Sequence, residues 1–176
     1  MRYRNRMLFA VAASVATITS TLQITAAESE AKRAKGYILK EEPEDAVAVL
    51  KIKKAAKNGE EIVIVGRIGG RRNPWIKGAA AFSIVDESVK SCDQIPGDNC
   101  PTPWDYCCEA DLPKMTVLVT FVDEAGKVVK KDARELLKVK ELQTVVVTGK
   151  VKRDKSDNVS ILATSIYVRS DKRVLK

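Results

Sequence analysis

Five stretches rich in β-branched residues, two of them broken by a single internal glycine, constrain this chain more than any other feature. Glu61–Ile68 and Thr144–Val151 carry the glycines, Gly66 and Gly149. Ala79–Asp86, Met115–Val122 and Val159–Arg169 complete the set. β-Branched side chains suit the pleated strand, and a glycine inside a strand marks a bulge or a tight bend. In Ala79–Asp86, residues Ala79, Ala81, Ser83 and Val85 alternate with Ala80, Phe82 and Ile84, so the two sets face opposite ways. Strands that bend at glycines are strands that curl into a closed sheet.

Helix signals punctuate the strands. Asp132 and Glu135 stand at capping-box spacing before Leu136, Leu137 and Val139, which predicts a short helix between the third and fourth strands. Ahead of the first strand, residues 42–58 are predicted to form an amphipathic helix. Pro43 suits its first position, Glu44 and Asp45 its positive end, and Lys51, Lys53, Lys54 and Lys57 its negative end. Ala46, Val49, Ile52 and Ala56 share one face, and Gly59 is placed to cap the end. That face has no bulky aromatic, so the helix is expected to pack on a sheet and not on a membrane surface. Glu124-Ala125-Gly126 turns the third strand into a short extension at Val128-Val129. Ser156-Asp157-Asn158 turns the fourth into the fifth, and Asn158-Val159-Ser160, a match to a glycosylation acceptor, reads as part of that turn. The predicted fold is mainly β with flanking helices. It is a five-stranded Greek-key barrel of the OB type, with a helix between strands 3 and 4, an N-terminal helix and a cysteine-rich insertion between strands 2 and 3.

A resemblance points the same way. Glu61-Ile-Val-Ile-Val-Gly-Arg-Ile68 followed by Ala81-Phe-Ser-Ile-Val-Asp86 resembles the opening strands of OB domains of the anticodon-binding type. Thr144-Val-Val-Val-Thr-Gly-Lys-Val151 with Ile161-Leu-Ala-Thr-Ser-Ile-Tyr-Val168 resembles their closing hairpin. The similarity covers residues 60–169, interrupted by the cysteine segment. The whole chain also resembles an uncharacterised group of exported bacterial OB-domain proteins, a resemblance that implies no reaction.

The first residues bear on where the protein works. Arg2, Arg4 and Arg6 precede an apolar run from Met7 to about Ile18, and Thr25-Ala26-Ala27 offers small residues to a signal peptidase. The run is too short to span a bilayer, so residues 1–27 are expected to be a cleaved signal peptide and the location periplasmic or extracellular. Residues 28–41 are charged and aperiodic, a mobile leader by expectation. Residues 170–176 form a basic tail. Without residues 1–27 the chain has 149 residues, enough for one domain, and its net charge falls from +8 to +5. There is no histidine, which removes Ser-His-Asp and Cys-His catalysis and HExxH zinc chemistry together.

Residues 87–113 hold all four cysteines, Cys92, Cys100, Cys107 and Cys108, spaced C-x7-C-x6-C-C. In an exported chain that count suggests two disulfides stapling an irregular segment, each worth about 2–4 kcal/mol. A bond between adjacent Cys107 and Cys108 is strained, so Cys92 and Cys100 would each pair with one member of the doublet. The alternative is a metal site for zinc or copper, with Asp93, Asp98, Asp105 or Glu109 as further ligands. The spacing lacks C-x2-4-C knuckles, and a redox C-x-x-C is absent.

Trp75 and Trp104 sit in loop contexts where an exposed indole would anchor a ligand, or where it would cover the barrel mouth. Arg67, Arg71, Arg72 and Lys77 flank the first loop; Lys150, Lys152, Arg153 and Lys155 flank the last. In OB folds these loops border the face for oligonucleotides or oligosaccharides. Only Phe82, Phe121 and Tyr167 could serve as stacking platforms on strands, and the first two read as core, which disfavours nucleic acid. Asp86, Glu87, Asp123 and Glu124 lie near strand ends with nothing to pair them, so no enzyme is expected. The expected function is a non-catalytic exported binding module without a cofactor. Its partner would be an anionic glycan, an envelope protein or a small anion. A metal-binding or redox protein centred on the cysteines is the alternative, and nucleic-acid binding by fold analogy is the second.

Overall fold

The computed structural model describes residues 36–170. The expected signal peptide at 1–27, residues 28–35 of the leader and residues 171–176 of the tail lie outside them. Six strands follow in chain order: β1 (Val47–Ala48), β2 (Glu61–Ile68), β3 (Ala81–Val85), β4 (Thr116–Phe121), β5 (Thr144–Arg153) and β6 (Val159–Val168). Among the described residues they are accompanied by α1 (Val49–Ala55), α2 (Leu112–Met115) and α3 (Ala133–Leu137). The sheet runs β2-β3-β4-β6-β5, and β5 pairs back to β2, closing a five-stranded barrel with β1 as a short addition on the edge of β2. The β4–β6 pairing is parallel and the other barrel pairings antiparallel, the layout of the OB fold.

Alternation places the core. Ile62, Ile64 and Ile68 of β2, Phe82 and Ile84 of β3, and Val117, Val119 and Phe121 of β4 point inward with Val145, Val147, Val151, Ile161, Ala163 and Ile166. Tyr37, Phe121, Phe82 and Trp75 form a chain of ring contacts with centroids 5.6–6.1 Å apart through this interior. α3 closes one end by burying Ala133, Leu136 and Leu137, and Asp132 caps it by accepting from the Arg134 amide at 2.9 Å.

Both internal glycines stand where the barrel bends. Opposite Gly149 the β5–β6 register skips a residue: Thr148 pairs with Ser165 and Gly149 with Ala163, leaving Thr164 as the bulge. Gly66 lies where β2 begins to pair with β3, and a β-carbon there would come within 2.9 Å of the Val85 carbonyl.

The first helix is shorter than residues 42–58. It occupies only Val49–Ala55, because Val47 and Ala48 are drawn into parallel pairing with Ile64 and Val65. β2 and β3 pair over just two residues, and β1 with α1 fills the opening left beside them. Val49, Ile52 and Ala56 enter the core as the periodicity predicts, whereas Ala56, not Gly59, ends the helix. Pro43, Glu44 and Asp45 precede it. Its amide end is served instead by Asp86, which accepts from Leu50 N–H at 2.8 Å. At the near end of the leader, Leu39 N–H donates to the Ile166 carbonyl and Tyr37 packs edge-on to Phe121, so residues 37–39 are seated on the barrel.

Burial pushes the Asp86 carboxyl up, but bonds from Leu50 N–H and from the Ser88 hydroxyl and amide outweigh it and hold the pKa below the usual value. A carboxylate depressed by folding stabilises the native state above its unfolded pKa, and that stability drains as pH falls through the folded pKa. Asp86→Ala is therefore expected to cost about 1–2 kcal/mol at neutral pH. Denaturant melts of wild type and variant should converge as the pH drops below about 3.9.

Candidate functional site

The cysteine-rich insertion folds against the outer wall of β2 and β3. It has two 3-10 turns, Cys92–Gln94 and Pro103–Asp105, before α2. Arg67 points outward from β2, yet it is only 9% exposed because the first turn covers it. Its guanidinium donates to Ser91 Oγ at 3.0 Å and to Gln94 Oε1 at 2.8 Å. Tyr106, in the left-handed region at φ 56°, buries its ring against Val85 and Val89, with Leu112 and Met115 alongside. This small second cluster, the Arg67 bonds and the loop contacts described next hold the segment to the barrel. Burial raises the Tyr106 hydroxyl pKa, and the Arg67 charge beside it partly offsets that rise.

The first loop is tied to the insertion by its glycines. Gly70, at φ 87°, donates its N–H to the Trp104 carbonyl at 2.8 Å, and a β-carbon on Gly69 would stand 2.5 Å from that same oxygen. The Trp104 indole returns a bond to the Arg72 carbonyl at 3.1 Å. Trp104 stays half-buried, with Arg71 and Arg72 exposed beside it.

The sulfurs converge. Cys107 Sγ lies 3.6 Å from Cys92 Sγ and 3.9 Å from Cys100 Sγ, and Cys100 Sγ is 4.0 Å from Asp105 Oδ1. Ligand atoms of these four residues all fall within 4.8 Å of one another. Cys108 Sγ lies 3.7 Å from Asp98 Oδ2, and these two with Cys92 make a second group whose ligand atoms also fall within 4.8 Å of one another. No pair stands at the bonded distance of about 2.05 Å, and the four cysteines are free. The expected pairing gave Cys92 and Cys100 separate members of the doublet; here both approach the same one. Cys92 is buried, which raises its thiol pKa, and the neighbouring Cys92 and Cys100 thiols push Cys107 up as well.

Other sequence candidates serve the fold. Trp75 is buried, packs on Phe82 and donates its indole N–H to Glu141 Oε1 at 2.5 Å, so it covers the barrel mouth. Arg153 clamps α1 by donating to the Ala56 carbonyl at 2.9 Å and the Lys53 carbonyl at 2.7 Å, with Asp157 at 2.7 Å on its far side. Lys77, Lys152 and Lys155 are exposed. The two basic loops do not meet. Arg71 and Arg72 follow the end of β2 where Arg67 pairs with Thr144, whereas Lys152 and Lys155 lie beyond Lys150, which pairs with Glu61. Those pairs are six steps apart along β2, roughly 20 Å. The helix-end bonds of Arg153 had no local signal, because its partners lie 97 and 100 residues away.

No protein family matches the sequence, and no curated protein does. Among solved structures the chain is similar to the hypothetical protein ygiW from E. coli, at 17% identity over 72% of this chain and 94% of that one, with a TM-score of 0.37. It is similar to an OBody bound to hen egg-white lysozyme, at 13% identity over 73% and 96% with a TM-score of 0.42. It is also similar to the aspartyl-tRNA synthetase of Entamoeba histolytica, at 11% identity over 76% of this chain, with a TM-score of 0.43; that match spans only 24% of the synthetase. Among the described residues no helix is long and apolar enough to cross a membrane.

Proposed function

We propose that this chain is a non-catalytic, exported OB-fold binding module that takes an anionic oligosaccharide on the rim shared by its first loop and its cysteine-rich insertion. The observation that carries this reading is the pair of bonds between Trp104 and the first loop, which sets an indole beside the exposed Arg71 and Arg72. An indole face stacks on a sugar ring, and guanidinium forks match carboxylate or sulfate groups. Export rests on the Arg-rich start and the small residues at Thr25-Ala26-Ala27. A binding role is favoured over catalysis because the carboxylates near strand ends have structural partners. Asp86 caps α1, Glu87 pairs with Arg169 at 3.1 Å, and Asp123 accepts turn amides from Ala125 and Lys127.

Nucleic acid is the weaker reading. All five residues of β3 are buried, so half of the wall that OB domains offer to oligonucleotides is covered. Intrinsic fluorescence titration with a heparin-derived hexasaccharide tests the proposal. Arg71→Ser with Arg72→Ser should weaken binding about tenfold or more, the equivalent of one lost charge-assisted bond. Lys152→Ser with Lys155→Ser should change it less than about twofold, because those lysines sit at the other end of the barrel wall. Equal losses from both pairs, tighter binding of single-stranded DNA, or no response from either probe would sink this reading. An acidic envelope protein competing at Arg71 and Arg72 would replace the glycan with a protein partner.

A further inference from the structure

From the convergence of sulfurs we infer that Cys92, Cys100, Cys107 and Asp105 bind a thiophilic divalent cation, and that zinc is the ion that fits. This goes beyond the binding role proposed above, requires the thiols to stay reduced in the exported chain, and is tested by readouts separate from oligosaccharide binding. The first argument is spacing. A tetrahedral zinc with Zn–S bonds of about 2.3 Å sets its sulfurs about 3.8 Å apart. The Cys92–Cys107 and Cys100–Cys107 sulfur separations, 3.6 and 3.9 Å, bracket that edge. The chain reaches it from three places: the first 3-10 turn supplies Cys92, the stretch before Pro101 supplies Cys100, and the end of the second turn supplies Asp105 and Cys107.

The second argument is that the oxygen ligand is already aimed. Asp105 Oδ2 accepts from Thr102 Oγ1 at 2.8 Å and Oδ1 accepts from Cys107 N–H at 3.0 Å, which fixes the carboxylate with lone pairs to spare. Such outer bonds orient ligands in metal sites. A carboxylate among thiolates also selects zinc over Cu(I), which prefers sulfur alone. The third argument is charge. Residues 87–113 carry six carboxylates and a single lysine, and a cation relieves that crowding. Three thiolates and a carboxylate leave a zinc site net negative, and the Arg67 guanidinium, bonded to Ser91 next to Cys92, supplies a neighbouring positive charge.

The fourth argument is need. The insertion buries only Val89, Cys92 and Tyr106 among its apolar residues, too small a core to order 27 residues by itself. On binding, zinc displaces the protons of the three thiols into solvent and no electrons move. The ion would hold Cys92 to Cys107 and so fix Trp104 between them.

Metal analysis of the purified full chain with a thiol assay tests the site. The expected result is one zinc per chain and one reactive thiol, Cys108, rising to four thiols once a chelator removes the metal. Cys107→Ser should lose the zinc, and Cys108→Ser, outside the ligand set, should keep it. Should Cys107→Ser fail to fold, Co(II) exchanged into wild type should show thiolate-to-metal charge transfer in the near ultraviolet. Four unreactive thiols with a mass about 4 Da low and no metal would mean two disulfides and overturn the site. Zinc kept by Cys107→Ser, zinc lost from Cys108→Ser, or four reactive thiols after zinc addition would overturn it equally. Hexasaccharide binding is read separately, so failure here leaves the rim proposal standing.

Discussion

Replacing Gly149 with valine is expected to lower stability by about 2–4 kcal/mol, among the largest effects available to a single substitution in this barrel. A β-carbon at this position would collide with the Leu162 carbonyl oxygen and stand 2.9 Å from the Ala163 α-carbon, both backbone atoms of the paired strand. Backbone cannot rotate away as a side chain can, so relief requires β5 and β6 to part at the bulge that lets them coil. These two strands form the most extensive pairing in the sheet, and loss of register there moves inward residues outward. Gly66→Val should cost less, because it has a single backbone contact, the Val85 carbonyl oxygen at 2.9 Å, whereas all three close contacts at Gly149 are backbone atoms at 2.9 Å or nearer. Gly36→Ala has nothing within 4 Å and should fall within about 0.5 kcal/mol of wild type. Urea melts of the three variants test the order. Equal midpoints for Gly149→Val and Gly36→Ala would mean that β5 and β6 do not meet as described.

Truncating Tyr106 to alanine is expected to cost about 3 kcal/mol or more and to detach the insertion from the barrel. The ring is 1% exposed and is the largest member of the small cluster with Val85 and Val89. Its loss opens a cavity beside Arg67, whose bonds to Ser91 and Gln94 are then a large part of what still holds the first turn to β2. Tyr106→Phe should change stability by less than about 1 kcal/mol, because the buried hydroxyl has no hydrogen-bond partner. Hydrogen exchange distinguishes local from global effects. In Tyr106→Ala the amides of residues 87–113 should lose protection while those of β5 and β6 keep it. A uniform loss across the barrel would show that the insertion is part of one cooperative unit.

The barrel strands were legible because their cause is local. Alternation of valine, isoleucine and threonine over Glu61–Ile68 or Val159–Val168 dictates a pleated strand whatever lies opposite, and the boundaries of β2 match the sequence pattern residue for residue. Gly66 and Gly149 marked the bends for the same reason, since a missing side chain inside a β-branched run is itself a local anomaly. The first helix shows where local reasoning stops. Val49, Ile52 and Ala56 of its predicted apolar face reach the core, but Ala46 lies before its start, which was set by Ile64 and Val65 of β2 recruiting Val47 and Ala48 into a ladder.

The candidate site was legible only as residue types. An arginine at position 67 and a tryptophan at position 75 look the same in sequence whether they meet a ligand or a core. Ser91 and Gln94 buried the first, Glu141 and Phe82 the second, and all of these partners lie outside the local window except Phe82. The spacing C-x7-C-x6-C-C likewise named four sulfurs without saying which would meet. Strand identity follows from neighbours in the chain, so the sequence alone determined the barrel. Which arginine stays exposed and which thiols share a few ångströms follow from neighbours in space, and the folding of the insertion onto β2 and β3 decided both.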